Sequence, residues 1–168
     1  KDLFPSDFIF NIKPPPNYIG PAKVFGLDDP QDADVEVKRL PLERTIKDTA
    51  AWLPDRHRKT QNPGSLPGSL ETAIHSFILA CAIRTTRGEA GVHNSMLVHV
   101  TRFVDVQDKV ATQVEDYLDS VRNRIRYGDG NAGENIMSVL RSLFEKDFVP
   151  TTKSVKDFDE DLQRDIDT

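Results

Sequence analysis

The stretch His93-Asn94-Ser95-Met96-Leu97-Val98-His99-Val100-Thr101-Arg102 decides the fold, because it separates two helical patterns. Its short apolar centre has polar residues on both sides, which is typical of a strand covered on both faces. An amphipathic helical pattern opens soon afterwards, at Asp105. Strand, sharp turn and helix make half of a βαβ unit, so we predict a strand over residues 95–101 within a short parallel sheet.

Three helices are predicted from apolar residues that recur at intervals of three and four. The first spans residues 69–87 and is apolar nearly all round, which indicates a central helix buried on several sides. The second starts at Asp105, its predicted N-cap, and stops at Gly128, and the third spans residues 134–144. Ser69 is the predicted N-cap of the first helix. The predicted fold class is therefore α/β and mostly helical, with three main helices packed on the short sheet.

The sequence outside these elements predicts an arm and a tail. Residues 1–26 combine aromatic residues with prolines, including Pro14-Pro15-Pro16, and predict an extended arm. Residues 27–150 are predicted to form a single helical α/β domain, and residues 151–168 an acidic, partly flexible tail. Because the chain begins at Lys1 without an initiator methionine, we expect a processed chain or a piece of a longer protein.

The composition narrows the function. There are 22 Lys and Arg residues against 27 Asp and Glu, a formal net charge of −5, which argues against binding DNA by overall electrostatics but allows a local basic patch. The single cysteine, Cys81, excludes an internal disulfide and a thiolate metal cage, and favours a cytoplasmic location. No apolar run approaches the roughly 20 residues of a transmembrane helix, so we expect no membrane partner.

Few motifs of catalytic chemistry are present. No G-x-x-x-x-G-K-[ST] loop occurs, so this chain should not bind ATP on its own. Glu36-Val37-Lys38 has the E-x-K form that ends some metal-dependent nuclease motifs, which makes Glu36 and Lys38 weak catalytic candidates. His57-Arg58-Lys59 begins like a phospholipase-D-type motif, but Gly64 stands where that motif needs an aspartate. We predict no metal site.

The carboxyl end of the predicted strand is the best candidate for ligand binding. Thr101 and Arg102 would bring a hydroxyl and a guanidinium beside the free amides of the next helix, a combination that suits a phosphate. Arg102 could instead serve surface or domain packing. Four further residues could support a phosphate contact, although the arginines also suit a helix dipole and the other two a structural role: Arg84, Arg87, His93 and Asn94.

Several ordered stretches together resemble one protein family. They are Phe8-Ile9, Asn17 to Gly20, Leu66-Pro67, Ser69-Leu70, Ala73-Ile74, Phe77, Leu79 to Arg84, Arg87-Gly88, His93 to Phe103 and Val106-Gln107. The family is the Z1 domain family, found in bacterial proteins that have a superfamily-two helicase core, belong to restriction-type defence systems and often carry an endonuclease label. The resemblance covers about residues 3–127 and fades beyond Gly128.

The resemblance implies a place in a larger protein. Residues 96–102 and the helix after them look like the first strand and helix of a second RecA-like domain, so Thr101 and Arg102 would contact the nucleic-acid backbone. Implied partners are DNA, through the full-length protein, flanking RecA-like helicase domains and restriction-system subunits. ATP and Mg²⁺ are implied as cofactors of the full-length protein. For this piece of it, the resemblance implies neither a cofactor nor catalytic activity.

Three functions follow as hypotheses. The first is a DNA-processing module that couples motor domains or guides DNA. The second is a protein–protein interaction module without DNA contact, which the net charge of −5 favours. The third is a metal-dependent nuclease domain that uses Glu36 and Lys38.

Overall fold

The computed structural model describes residues 18–26, 39–130 and 133–155. The chain divides into two compact units, one of residues 44–150 and one of residues 1–43 with 151–168. Four α-helices have both ends in the described ranges, and a π-helical turn, Phe144–Phe148, follows the last of them and leads into helical residues 149–155. The helices are α1 (Pro21–Phe25), α2 (Gly68–Thr86), α3 (Val104–Tyr127) and α4 (Ile136–Leu143).

The predicted sheet is wrong, and with it the α/β fold class. The described residues contain no strand, and residues 95–101 form an irregular segment between α2 and α3. Among these residues, no backbone hydrogen bond outside the helices involves residues 95–100. The segment is apolar because Val98 and Val100 pack against the core, whereas Leu97 is 88% exposed. The apolar run therefore reflects contact with helices and not a sheet.

The three predicted helices are present with small shifts at their ends. No side chain caps α2 at its N-cap, Pro67, and Ser69 is instead the second helical residue. Asp48 takes over the capping, because its carboxylate accepts the backbone N–H of Ser69 at 2.9 Å. Hydrogen bonds from Ser69, first from its side chain and then from its backbone, lower the pKa of Asp48. Helix α3 begins one residue before Asp105, with no side-chain cap.

The main core of the larger unit joins the loop before α2 to α2 and α3. Trp52, which is 4% exposed, donates its indole N–H to Oε1 of Gln113 on α3 at 2.9 Å. Gln113 in turn donates to the carbonyl of Gly64 at 2.8 Å. A Cβ at Gly64 would come within 2.3 Å of the Ala51 carbonyl oxygen, so only glycine fits there. The buried members of this core are Trp52, Leu53, Leu70, Ile74, Val106 and Val110.

A second, smaller core joins the end of α3 to α4 and contains Val121, Ile136 and Leu140. Helix α3 ends at Gly128, whose φ of 87° suits glycine. Asp129 then accepts hydrogen bonds from Nε of Arg124 and from the backbone N–H of Ile136, both at 2.9 Å. These two bonds lower the pKa of Asp129, the bond from Ile136 contributing more. One carboxylate thus links the end of α3 to the start of α4.

The smaller unit is described only in part. Where the extended arm is predicted, Pro21–Phe25 form a short helix, α1, and the N–H of Leu40 donates to the carbonyl of Lys23 at 2.8 Å. Residues 151–155 of the predicted tail are helical. Residues 1–17 of the arm and 156–168 of the tail lie outside the described residues. None of the helices in the described ranges combines the length and hydrophobicity needed to cross a bilayer.

Candidate nucleic-acid interface

The predicted phosphate-binding residue Thr101 is held inside the larger unit. Its side chain is buried, and Oγ1 lies 2.8 Å from Nε2 of His57. The other ring nitrogen of His57 lies 3.1 Å from the carbonyl of Pro54, which can only accept, so Nδ1 carries the proton and the Thr101 hydroxyl donates to Nε2. Thr101 Oγ1 accepts the N–H of Phe103 at 3.3 Å, and its carbonyl accepts Nε2 of Gln107 at 2.6 Å.

This network places a loop of cations against the amino end of α3. The ring of His57 meets the ring of Phe103 edge to face, with centroids 5.7 Å apart. The Arg102 guanidinium also lies against Phe103, 5.2 Å from the centre of its ring. Lys109 on α3 holds the far end of the loop by donating to the carbonyl of Thr60 at 3.3 Å. Arg102 and the loop therefore share one surface.

We call this surface the basic face, and define it as Arg56, Arg58, Lys59 and Arg102. All four side chains are exposed, and none is in an ion pair within the described part of the chain. Arg56 has a φ of 60°, a strained value for a residue other than glycine, and such strain is often found at functional sites. Unpaired cations on a fixed loop suit phosphate groups.

Three of the four predicted supporting residues come together in a separate cluster at the other end of the irregular segment. Arg84 pairs with Glu89 at 2.7 Å, donates to the side-chain oxygen of Asn94, and lies 3.5 Å from the carbonyl of His93. These bonds close the loop after α2, so the guanidinium is engaged within the protein. Arg87, the C-cap of α2, is exposed. The phosphate-binding role of all four, like that of Thr101, stays a prediction.

The weak catalytic candidates Glu36 and Lys38 lie outside the described residues. Among those that the structure does describe, no group of three His, Cys, Asp or Glu side chains is placed to hold a metal ion. The exposed cations of the basic face suit the recognition of anions.

A second polar cluster, absent from the sequence prediction, lies between α2 and α3. His75 is 6% exposed, and its Nε2 lies 3.0 Å from the hydroxyl of Tyr117. Burial and the charge of Glu71 raise the pKa of Tyr117 to about 12. Burial, and then the positive charge of Arg124, lower the pKa of His75. The four-residue spacing of Glu71 and His75 on an otherwise apolar helix was the signal that could have revealed this cluster.

The depressed pKa of His75 predicts a stability that falls in mild acid. Below the ordinary value of 6.5, the unfolded state takes up a proton that the folded state resists, so the free energy of unfolding decreases by up to about 1.4 kcal/mol per pH unit. Urea unfolding at pH values from neutral to mildly acidic should show that the free energy of unfolding falls more steeply with decreasing pH for the wild type than for His75→Gln, because glutamine has no group that takes up a proton in this range. Equal slopes for the two proteins would contradict the assignment.

The sequence contained the cations of the basic face but not their arrangement. His57-Arg58-Lys59 is part of a nuclease-type motif that fails, and nothing local connects it to Thr101, which is 44 residues away. The useful signal was composition, because four consecutive basic residues, Arg56 to Lys59, occur in a stretch otherwise rich in Pro and Gly.

Fold and surface together define a small helical domain with a basic face at the amino end of its longest helix. The sequence matches the family model described as the Z1 domain over residues 69–168, and the chain belongs to that family. The match includes the residues beyond Gly128 where the resemblance fades, and does not include residues 1–68. No curated protein and no solved structure matches the chain.

Proposed function

We propose that this chain is the Z1 module of a DNA-processing protein and that its basic face contacts the DNA backbone. The observation that carries the proposal is the gathering of Arg56, Arg58, Lys59 and Arg102, all exposed and without ion pairs in the described ranges, on one surface of an acidic chain. An acidic domain that keeps unpaired cations together can bind phosphates locally while its net charge limits non-specific association.

In the full-length protein, the module would guide DNA or couple helicase motor domains within a cytoplasmic bacterial restriction or defence system. ATP and Mg²⁺ would bind in flanking RecA-like domains, since no phosphate-binding loop occurs in this chain. The endonuclease label of the family would then describe the assembled protein and its restriction-system partners, and this module would position the DNA.

The Arg102→Ala variant tests the backbone contact. In titrations of the chain with a labelled DNA duplex between about 50 and 200 mM salt, we expect the slope of log K against log salt to be shallower by about 1 than for the wild type. Arg102→Lys, which keeps the charge, should retain most of the slope. If Arg102→Ala changes neither DNA binding by this chain nor the DNA-stimulated ATPase of the full-length protein, Arg102 does not guide DNA.

A further inference from the structure

An apolar groove lies between the second half of α2, the end of α3 and α4. It has a volume of about 960 Å³. A second hollow of about 250 Å³ adjoins it, and Ile78 and Ile125 line both. The larger part is lined by apolar side chains from three helices and the turn after α4: Ile78, Leu79, Ala82, Ile125, Met137, Leu140 and Phe144.

The exposure of this groove is unusual for a small domain. Met137 is 58% exposed, Ile125 43% and Phe144 40%, although all three are large and apolar. Contiguous apolar surface of this kind generally marks a binding site. Helix α2, predicted to be buried on several sides, leaves Ile78 and Leu79 only partly covered here.

The backbone beside the groove is shaped by the π-helical turn at Phe144–Phe148. The rings of Phe144 and Phe148 stack with centroids 6.1 Å apart and an angle of 16° between their planes. Because π-helical turns inside helices occur frequently at functional sites, this departure from regular helix supports a role for the groove wall.

The charged residues along the groove are mostly basic. Arg126 and Arg141 are exposed and have no ion pair among the described residues, while Arg122 is paired with Asp119. Within the described ranges, Glu145 is the only acidic residue that lines either part. The rim therefore complements a negatively charged partner.

We propose that this groove binds an amphipathic helix of a partner protein, with apolar residues in the groove and acidic residues against Arg126 and Arg141. The groove walls are helices whose backbone groups are already paired, so an added strand would find no hydrogen bonds, whereas a helix needs only side-chain contacts. The apolar floor equally disfavours a phosphate backbone. Helix α4, with eight residues, spans about 12 Å and matches about two turns of a bound helix.

Two synthetic helical peptides test the proposal on the complete 168-residue chain. They share a leucine stripe at positions i, i+4 and i+7, and differ only in flanking glutamates or lysines. We expect the glutamate peptide to bind at least about tenfold more tightly by fluorescence anisotropy, and its amide-shift changes in NMR spectra to map to the groove. Met137→Asp should abolish binding of the glutamate peptide, because it replaces an apolar contact in the groove with a carboxylate. Arg126→Glu/Arg141→Glu should abolish the preference for that peptide, because it reverses the charge of the rim.

The Arg58→Glu/Lys59→Glu variant is the matched control, with the same change in net charge at the basic face, and should bind the glutamate peptide like the wild type. Equal binding of the two peptides, binding that survives Met137→Asp, or self-association of the chain through the groove would overturn the proposal. All variants carry exposed substitutions, so we expect their circular dichroism spectra to match that of the wild type.

Discussion

Trp52→Ala should destabilise the larger unit by about 3–5 kcal/mol, the largest effect that we expect from a single substitution. The indole is 4% exposed and contributes both apolar area and a hydrogen bond to Gln113. Truncation would leave a cavity between the loop and two helices and would remove the donor whose hydrogen bond Gln113 accepts. A unit of about a hundred residues has only about 5–15 kcal/mol of total stability, so much of it would disappear.

Urea unfolding followed by circular dichroism measures this decrease, since Trp52 is the only tryptophan and its fluorescence is absent from the variant. Trp52→Phe is the control, because it keeps one aromatic ring while it removes the N–H donor and part of the indole area, and it should cost clearly less than alanine. A decrease below about 1 kcal/mol for Trp52→Ala would mean that the loop does not depend on this contact. In the wild type, a shifted tryptophan emission then reports directly on docking of the loop that includes the basic face.

The helices could be predicted from the sequence because their apolar residues repeat over many turns. In α3 the pattern extends over 24 residues, and Val106, Val110 and Val121 are buried as the spacing predicts. An apolar pattern that repeats with the helical period over so many residues distinguishes a helix from a strand. Capping was harder to predict, because Asp48 reaches the amino end of α2 from 21 residues away.

The strand could not be separated from an irregular segment by sequence alone. A short apolar run carries no sign of whether a second strand exists to pair with it. Here Val98 and Val100 pack against the helical core, while Leu97 is exposed, so the same pattern arises without a sheet. Position within the fold, and not the local pattern, decides between the two.

Part of the candidate site could be predicted from the sequence, but the loop cations could not, because the contact that brings them there joins distant residues. Thr101 and Arg102 stand at the end of the apolar run, which is what marks them in the sequence, and Arg102 is part of the basic face. The loop cations join it through the bond between His57 and Thr101, a contact between residues far apart in the chain. The hydroxyl of Thr101 points into the protein and bonds to His57. Thr101 therefore positions the loop that carries the cations of the basic face.

Reversing the two central cations of the loop should have the largest effect on DNA binding. Arg58→Glu/Lys59→Glu replaces two attractive charges with two repulsive ones, and we expect the affinity for duplex DNA at low salt to fall on the order of 10- to 100-fold. The slope of log K against log salt should become shallower by about 2, because two phosphates are no longer neutralised by these side chains. Both residues are exposed, so the stability of the domain should change little.

The Arg126→Glu/Arg141→Glu variant separates a local contact from a general effect of charge. It changes the net charge equally, but Arg126 lies near the carboxyl end of α3, a helix of 24 residues and thus about 36 Å long. This distance is several times the Debye length of about 10 Å at 0.1 M salt, so the control should bind DNA nearly as well as the wild type. If both double variants weaken DNA binding equally, binding depends only on the net charge of the chain. If only the loop variant does so, Arg58 and Lys59 contact the DNA and the rim of the groove does not.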